Sequence, residues 1–188
     1  MWHYLAHKTD LFSSRVKLLH VAPEKLFYSK FTQLSNIEYI PCAKFGEGYV
    51  DTYPEGTRNI DITDIDMEDN SLDAIVCSHV LEHIPDDLQA MRELCRVLKP
   101  GGWAILQVPL DASRDVTYED FSITDPKERE KAFGQYDHVR VYGNDYEDRL
   151  RKAGFQVKRE SYTKEFSDEE IFKYGFTKGE DIFFCSKR

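Results

Sequence analysis

Short apolar runs and helical periodicities alternate over the first 110 residues of the chain. The apolar runs have the length typical of strands, and they predict five strands, at residues 16–21, 37–40, 58–62, 73–77 and 103–108. Between these runs, apolar side chains recur every three or four positions, as they do on one face of a helix. Strands that alternate with helices predict an α/β fold: a doubly wound, mostly parallel sheet with helices on both faces and right-handed crossovers.

The helical pattern is clearest in the stretch that begins at Pro85. Proline fits the first position of a helix, and the two aspartates that follow it complement the positive end of the helix dipole. One apolar face is formed by Leu88, Met91, Cys95 and Leu98. Pro100-Gly101-Gly102 predicts the end of this helix.

The pattern changes after residue 110, where a highly charged stretch begins. Thr124-Asp125-Pro126 predicts the start of a helix within it. The elements predicted beyond are a helix at 145–153 and strands at 155–162 and 182–186. Since no repeat or linker divides the chain, we predict a single domain over residues 1–188, with a charged lid or insertion at about 111–140.

Charge and composition narrow the class of partner. The chain has 25 Lys and Arg against 34 Asp and Glu, a net charge of −9, which disfavours a nucleic-acid partner. Its longest apolar runs, four to five residues, cannot span a bilayer, and the N-terminus lacks the pattern of a signal peptide. The cysteines are scattered and form no Cys-x-x-Cys pair, as in a reduced intracellular protein. We expect a cytoplasmic protein that binds a small molecule rather than nucleic acid or a membrane.

Polar loops follow four of the predicted strands, at residues 20–24, 42–44, 61–64 and 78–83. In an open parallel sheet, ligands bind outside the carboxyl ends of the strands, where the strand order reverses. The alternative interpretation is that loops are polar in any protein and that Asp61 or Asp64 only stabilises a turn. The coincidence of four such loops favours a ligand pocket.

Two neighbouring stretches of the chain are the most informative. Residues 61–84 read Asp-Ile-Thr-Asp-Ile-Asp-Met-Glu-Asp-Asn-Ser-Leu-Asp-Ala-Ile-Val-Cys-Ser-His-Val-Leu-Glu-His-Ile, and residues 91–106 read Met-Arg-Glu-Leu-Cys-Arg-Val-Leu-Lys-Pro-Gly-Gly-Trp-Ala-Ile-Leu. This block resembles the centre of class I S-adenosylmethionine-dependent methyltransferases, with weaker similarity at 137–143 and 145–155. The resemblance implies a Rossmann-like methyltransferase fold, S-adenosyl-L-methionine as cofactor with S-adenosyl-L-homocysteine as product, and methyl transfer to a small-molecule acceptor.

The resemblance also implies roles for individual residues. Asp61 corresponds to the carboxylate that accepts the adenine amino hydrogens, and Ile62 to the residue that packs on the ring. Ser78-His79-Val80 corresponds to the segment that lines the sulfonium and the transferred methyl group. His20-Val21-Ala22-Pro23-Glu24 corresponds to the turn at the methionine end of the cofactor.

Two positions depart from the family's pattern. Its members carry an acidic residue and a Gly-rich turn after the first strand, whereas this chain has Pro23 and Glu24 there; Glu24 either pairs with the cofactor's ammonium group or complements the helix dipole. The acid that accepts the ribose hydroxyls is missing near Ala43, and the candidate substitutes are Glu47, Asp51 and Glu55. These departures leave a second interpretation, a non-catalytic, methyltransferase-like scaffold or binding protein with a degenerate cofactor site.

The pattern His79-x-x-Glu82-His83 also occurs in zinc hydrolases. There a helix places both imidazoles on one side, but here Pro85 follows within two residues and leaves little helix to hold that geometry. A contact between Glu82 and a hard metal ion, as in some related methyltransferases, is the alternative to bonding within the loop. We expect loop bonding and no metal.

The segment 136–142 is predicted to form the substrate side of the pocket. It offers His138 as a general base, Arg140 for an anionic group, and Tyr136 and Tyr142 to shape the site. Its alternative is an ordinary strand with Arg140 paired to Asp137. If the acceptor's nucleophile carries a proton, His79 or His138 is the predicted catalytic base.

Overall fold

The computed structural model describes residues 1–46 and 53–188. Its strands are β1 (Val16–Val21), β2 (Ile37–Ala43), β3 (Arg58–Asn59), β4 (Leu72–Ser78), β5 (Leu98–Gln107), β6 (Tyr118–Glu119), β7 (Arg140–Val141), β8 (Gln156–Glu160) and β9 (Ile182–Ser186). Its α-helices are α1 (Trp2–Lys8), α2 (Lys25–Phe31), α3 (Asp87–Val97), α4 (Pro126–Phe133), α5 (Tyr146–Lys152) and α6 (Asp168–Tyr174). Two 3-10 helices span Leu81–His83 and Tyr162–Glu165.

Seven strands form the central sheet in the order β3-β2-β1-β4-β5-β9-β8. The strands β1 to β5 are mutually parallel, and β9 runs antiparallel between β5 and β8. The strand order reverses between β1 and β4, because the chain first builds outward from β1 through β2 to β3 and then returns to the other side. This topology confirms the mostly parallel sheet predicted from the alternating pattern.

Helices cover both faces of the sheet. On one face α3 and α5 pack over β4 and β5 through an apolar cluster that includes Met91, Leu94 and Leu150. On the other face α1 and α2 pack through Leu5 and Phe31. The central strand β4 is buried on both sides, which explains why its sequence is a continuous apolar run. The doubly wound arrangement is therefore confirmed.

The boundaries of α3 differ from the prediction at both ends. The helix begins at Asp87, because Asp86 is the N-cap residue and its carboxylate accepts a hydrogen bond of 3.0 Å from the Gln89 amide. It ends at Val97, and β5 begins at once, before Pro100. Gly101 and Gly102 therefore lie within β5. A side chain at Gly102 would meet the carbonyl oxygens of Asp73 and Lys99 at 2.9 Å. These glycines accommodate the bulge where β5 pairs with β4.

The charged stretch and the C-terminal part contain the predicted α4, α5, β8 and β9. Two helices were not predicted, α1 and α6. The second had a visible signal, since Ser167 and Glu170 form a capping box at its start. β3 is shorter than the predicted strand and ends before Asp61. No helix in the described part of the chain has the length and apolar character needed to cross a membrane.

Candidate active site

The carboxyl ends of β1 and β4 lie side by side where the strand order reverses. Each strand is followed by a non-glycine residue with left-handed backbone, Ala22 with φ 49° and His79 with φ 55°. Such conformations cost free energy and are concentrated at functional sites. Ala22 stands where the family carries its Gly-rich turn, and the backbone retains the glycine-type conformation with an alanine side chain. The two segments that follow these strands turn at these residues. We call the space between the two turns the crevice.

A cavity of about 570 Å³ opens beside this crevice. Glu24 lines it from the first turn, and Ser78 and His79 line it from the end of β4. Much of the remaining wall is aromatic, with Trp2, His3, Phe27, Tyr162, Tyr174 and Phe176. The volume lies in the range of small-molecule and cofactor pockets. The structure therefore brings Glu24, Ser78 and His79 to one cavity, whereas Asp61, Ile62 and Val80 are outside its lining.

The first turn is held by a buried histidine. One ring nitrogen of His20, Nε2, lies 2.7 Å from Oε2 of Glu24, and the other, Nδ1, lies 2.8 Å from the hydroxyl of Tyr39. Glu24 is the N-cap residue of α2, but its side chain makes no capping hydrogen bond. The carboxylate is instead held against His20 and faces the cavity. Val21 and Pro23 are buried beneath this turn.

Asp61 lies just beyond β3 and is half-buried. One carboxylate oxygen accepts hydrogen bonds from the amide and hydroxyl of Thr63, at 2.9 and 2.7 Å, and the other lies 2.6 Å from Nζ of Lys44. Burial acts to raise the pKa of Asp61, but these hydrogen bonds outweigh it and hold the pKa below its usual range. An ionised acceptor suits a purine amino group, whereas Ile62 is packed into the core and presents little surface to a ring.

The last residue of β2, Ala43, is buried and carries no carboxylate. The next residue, Lys44, pairs with Asp61. Of the candidate substitutes for the ribose acid, Glu47 and Asp51 lie outside the described residues. Glu55 is exposed, and its carbonyl oxygen accepts a hydrogen bond of 2.7 Å from Tyr28.

His79 is the predicted base that reaches the cavity. Its side chain is 55% exposed, and its Nδ1 lies 3.6 Å from Oε1 of Glu82, which is a charge contact rather than a hydrogen bond. The Glu82 carboxylate raises the pKa of His79 above its usual value, against the opposing effect of burial. His79 therefore combines a position on the cavity wall with a pKa raised by a neighbouring carboxylate, two properties expected of a group that exchanges protons with a ligand.

The segment 136–142 packs under the turn that follows β4 rather than into the cavity. Arg140 is buried; its Nε donates to Glu119 at 2.9 Å, and its terminal nitrogens donate to the carbonyl oxygens of Leu81, Ile84 and Pro85. Tyr142 is also buried and donates to Asp87 at 2.7 Å. Tyr136 is exposed. In this arrangement Arg140 and Tyr142 support the turn, and Arg140 pairs with Glu119 rather than with Asp137.

His138 is only 8% exposed and is absent from the cavity wall. Its Nδ1 lies 3.2 Å from the carbonyl oxygen of Phe133. Burial, helped by repulsion from His83, lowers the pKa of His138 below its usual value. The structure thus separates the two predicted bases, with His79 at the cavity and His138 beneath the turn.

The aromatic wall of the cavity had no signal in the sequence. Trp2 belongs to a helix that was not predicted, and Tyr162, Tyr174 and Phe176 come from the other end of the chain. These side chains meet only because α1 packs against the segment that precedes β9. Nothing in the local pattern indicated their proximity.

Comparison with known proteins agrees with this geometry. Residues 43–106 match the family model described as "Methyltransferase domain". The chain is 30% identical over 112 residues to an arsenite methyltransferase of Aquipseudomonas alcaligenes, across 59% of this chain and 28% of that protein. It is 35% identical over 69 residues to a demethylmenaquinone methyltransferase of Staphylococcus carnosus, across 32% of this chain and 29% of that protein. The matches thus cover less than a third of these curated relatives.

The fold extends the likeness over the whole chain. The crystal structure of an S-adenosylmethionine-dependent methyltransferase from Mesorhizobium loti superimposes with a TM-score of 0.64 and covers 99% of this chain and 97% of its own. Because the sequence identity is 13%, this similarity supports a shared fold and nothing more. Residues 43–106, which match the methyltransferase-domain model, thus form the centre of a fold that this chain shares with an S-adenosylmethionine-dependent methyltransferase.

Proposed function

We propose that the protein transfers the methyl group of S-adenosylmethionine to a small-molecule acceptor in the cavity beside Ser78 and His79. The observation that carries this proposal is the cavity at the carboxyl ends of β1 and β4, where both strands turn through left-handed residues. Open parallel sheets bind their ligands at this position. When bound, the cofactor supplies an activated methyl group on a sulfonium.

The residues of the first turn suit the methionine end of the cofactor. Glu24 presents a carboxylate to the cavity, and a carboxylate pairs with an ammonium group. Its hydrogen bond to His20, rather than a capping bond to α2, fixes the carboxylate at the cavity. The replacement of the family's Gly-rich turn thus need not abolish binding.

The acceptor side offers a base and an apolar wall. His79 reaches the cavity with a raised pKa, and we assign it the proton released when a hydroxyl or amine acceptor is methylated. The aromatic side chains exclude water from the reacting atoms and favour an acceptor with apolar or aromatic surface. Methyl transfer is a direct displacement, so alignment of acceptor and methyl group is the protein's main contribution.

Isothermal titration with S-adenosylmethionine and S-adenosylhomocysteine tests the cofactor site. We expect micromolar binding of both at a stoichiometry of one. The absence of heat with either compound, from a protein that melts cooperatively, would favour the alternative of a scaffold with a degenerate site. That alternative has its support in Glu24 and in the missing acid at Ala43.

Activity is tested with the methyl group labelled. The protein is incubated with labelled S-adenosylmethionine and a protein-free metabolite extract, and labelled products are separated by chromatography. We expect a labelled small molecule with wild-type protein and a much smaller yield with His79→Ala. A yield unchanged by His79→Ala would remove His79 from the reaction and leave the cofactor site intact.

A further inference from the structure

Beneath the turn that follows β4 lies a second cluster of titratable side chains. Glu82, His83 and His138 each offer one ligand atom, and these atoms all lie within 4.8 Å of one another. Glu82 and His83 come from the 3-10 helix after β4, and His138 comes from the segment before β7. A hydrogen bond of 3.0 Å from the Val139 amide to the Glu82 carbonyl oxygen joins the two segments. The fold therefore holds these side chains together.

The carboxylate of Glu82 is the unusual member of this cluster. Glu82 is 1% exposed, and neither of its carboxylate oxygens accepts a hydrogen bond from any residue that the structure describes. Its one charge contact there is with His79, at 3.6 Å. A buried carboxylate without hydrogen bonds is costly, and buried charges are normally paired or coordinate a metal. The side chain thus has the surroundings of a ligand whose partner is a cation.

The histidines are held as metal-binding histidines are. Nδ1 of His138 lies 3.2 Å from the carbonyl oxygen of Phe133, and Nδ1 of His83 lies 3.3 Å from a carboxylate oxygen of Asp137. Nδ1 of each ring thus faces an oxygen atom, through a hydrogen bond in His138 and through an ion-pair contact in His83, and Nε2 is the nitrogen that remains for an ion. In metal sites the second ring nitrogen almost always donates to such an acceptor, because this fixes the ring and its tautomer.

We propose that Glu82, His83 and His138 bind a divalent transition-metal ion. Two imidazoles and one carboxylate form a ligand set suited to Zn²⁺ and to neighbouring first-row ions, and three protein ligands leave a coordination position open. This differs from our expectation from the sequence, where Glu82 bonds within the loop. It also differs from the zinc-hydrolase geometry, because His79 stands apart from the ligands.

The position of these ligands indicates a structural role for the ion. Glu82, His83 and His138 are absent from the lining of the cavity, and Glu82 is connected to that cavity through its contact with His79. A bound ion would therefore join the turn after β4 to the segment before β7, beneath the cavity.

Metal binding is measured without the cofactor, so that its outcome is independent of the proposed function. Protein stripped with a chelator is titrated with Zn²⁺ by calorimetry and with Co²⁺ by visible absorption, and S-adenosylhomocysteine is titrated in parallel. The variants are Glu82→Gln and His138→Asn, with His83→Asn, whose side chain is 26% exposed, in case either fails to fold. His7→Ala is the control, since it removes an exposed histidine stacked on His3, far from the cluster in sequence.

We expect one equivalent of Zn²⁺ to bind to wild type and to His7→Ala, and at least tenfold weaker binding to the cluster variants. Zn²⁺ should raise the melting temperature of wild type but not of Glu82→Gln. Without metal, Glu82→Gln should melt no lower than wild type, because the substitution removes a buried charge without hydrogen bonds. Stripped, folded wild type that binds no Zn²⁺, or cluster variants that bind it like wild type, would overturn the proposal. Neither result would alter the S-adenosylhomocysteine titration.

Discussion

Two buried carboxylates, five positions apart, have opposite surroundings. Asp87, at the start of α3, is 2% exposed and accepts hydrogen bonds from the Tyr142 hydroxyl at 2.7 Å and from two nitrogens of Arg149 at 3.0 and 2.6 Å. Glu82, at 1% exposed, accepts none from the described residues. Burial is equal, so the difference lies in the partners that the fold supplies.

The comparison extends to the regions around these carboxylates. Behind α3, Arg149 and Tyr142 donate hydrogen bonds to Asp87. The neighbouring Arg140 donates to carbonyl oxygens of the turn after β4. At the crevice, the backbone is left-handed at Ala22 and His79. Just beneath it, the Glu82 carboxylate accepts no hydrogen bond from the described residues. Strained and unsatisfied groups persist only when the structure around them over-determines their positions. The region behind α3 is therefore the support of the crevice, where we propose that ligands bind.

The largest expected effect is on the free energy of unfolding when Asp87 is removed from the support. Asp87→Ala removes the acceptor of the buried Tyr142 and of the partly buried Arg149, and removal of one member of a buried charged network costs about 3–5 kcal/mol. We expect a loss of this size in the free energy of unfolding, measured by urea denaturation. Asp86→Ala, which removes only the exposed N-cap side chain, is the matched control and should cost about 1 kcal/mol. Equal losses in both variants would erase the distinction between the two regions.

The carboxylate of Asp61, which follows β3, should affect binding more than folding if it accepts the adenine amino group, as we propose. Asp61→Ala is expected to weaken S-adenosylhomocysteine at least tenfold, or by about 1.5–3 kcal/mol, because a charged acceptor is lost from the adenine amino group. The accompanying loss in stability should stay near about 1 kcal/mol, since the half-buried side chain mainly bonds Thr63 and Lys44. Calorimetric titration and urea denaturation measure the two effects.

The exposed Asp64 provides the control for this experiment. Asp64 lies three positions after Asp61, and Asp64→Ala should leave the affinity for S-adenosylhomocysteine unchanged. Unchanged affinity in Asp61→Ala as well would move the adenine pocket elsewhere.

Relief of strain at the first turn should have a smaller effect. A left-handed backbone costs a non-glycine residue about 1–2 kcal/mol, and substitution by glycine removes this cost. Glycine in turn lowers stability by about 0.5–1 kcal/mol, because its unfolded chain has more conformational entropy. We therefore expect Ala22→Gly to stabilise the protein by about 0.5–1 kcal/mol. Thermal and urea unfolding measure the change. A destabilised Ala22→Gly protein would show that the methyl group of Ala22 contributes packing worth more than the strain.

The smallest expected change in folding is at Glu82. In metal-free buffer, Glu82→Gln should alter the free energy of unfolding by no more than about 1 kcal/mol, with the sign toward stabilisation, because no hydrogen bond to the carboxylate is lost. The measurement is urea denaturation of stripped protein beside Asp87→Ala. A loss of 3 kcal/mol or more would make Glu82 a structural carboxylate like Asp87.

Sequence patterns predicted most of the sheet and little of the cavity. The strands, α4 and α5 carry local signals such as continuous apolar runs and Asp125-Pro126, which act over a few residues. The start of α3 was misplaced because Asp86 and Pro85 are both good start signals, and only the hydrogen bond to Gln89 distinguishes them. The polar loops after the strands were correctly identified, but their side chains divide between the cavity and its support.

The sequence by itself predicted the parallel sheet, most of the helices around it and the resemblance to class I S-adenosylmethionine-dependent methyltransferases, because periodicity, caps and motif spacing are local properties of the chain. Only the tertiary structure decided which polar residues have partners. Arg140 and His138, two positions apart, belong to different networks because the turn after β4 meets one with carbonyl oxygens and the other with a carboxylate. Such encounters depend on how distant segments pack, and packing is a property of the whole fold.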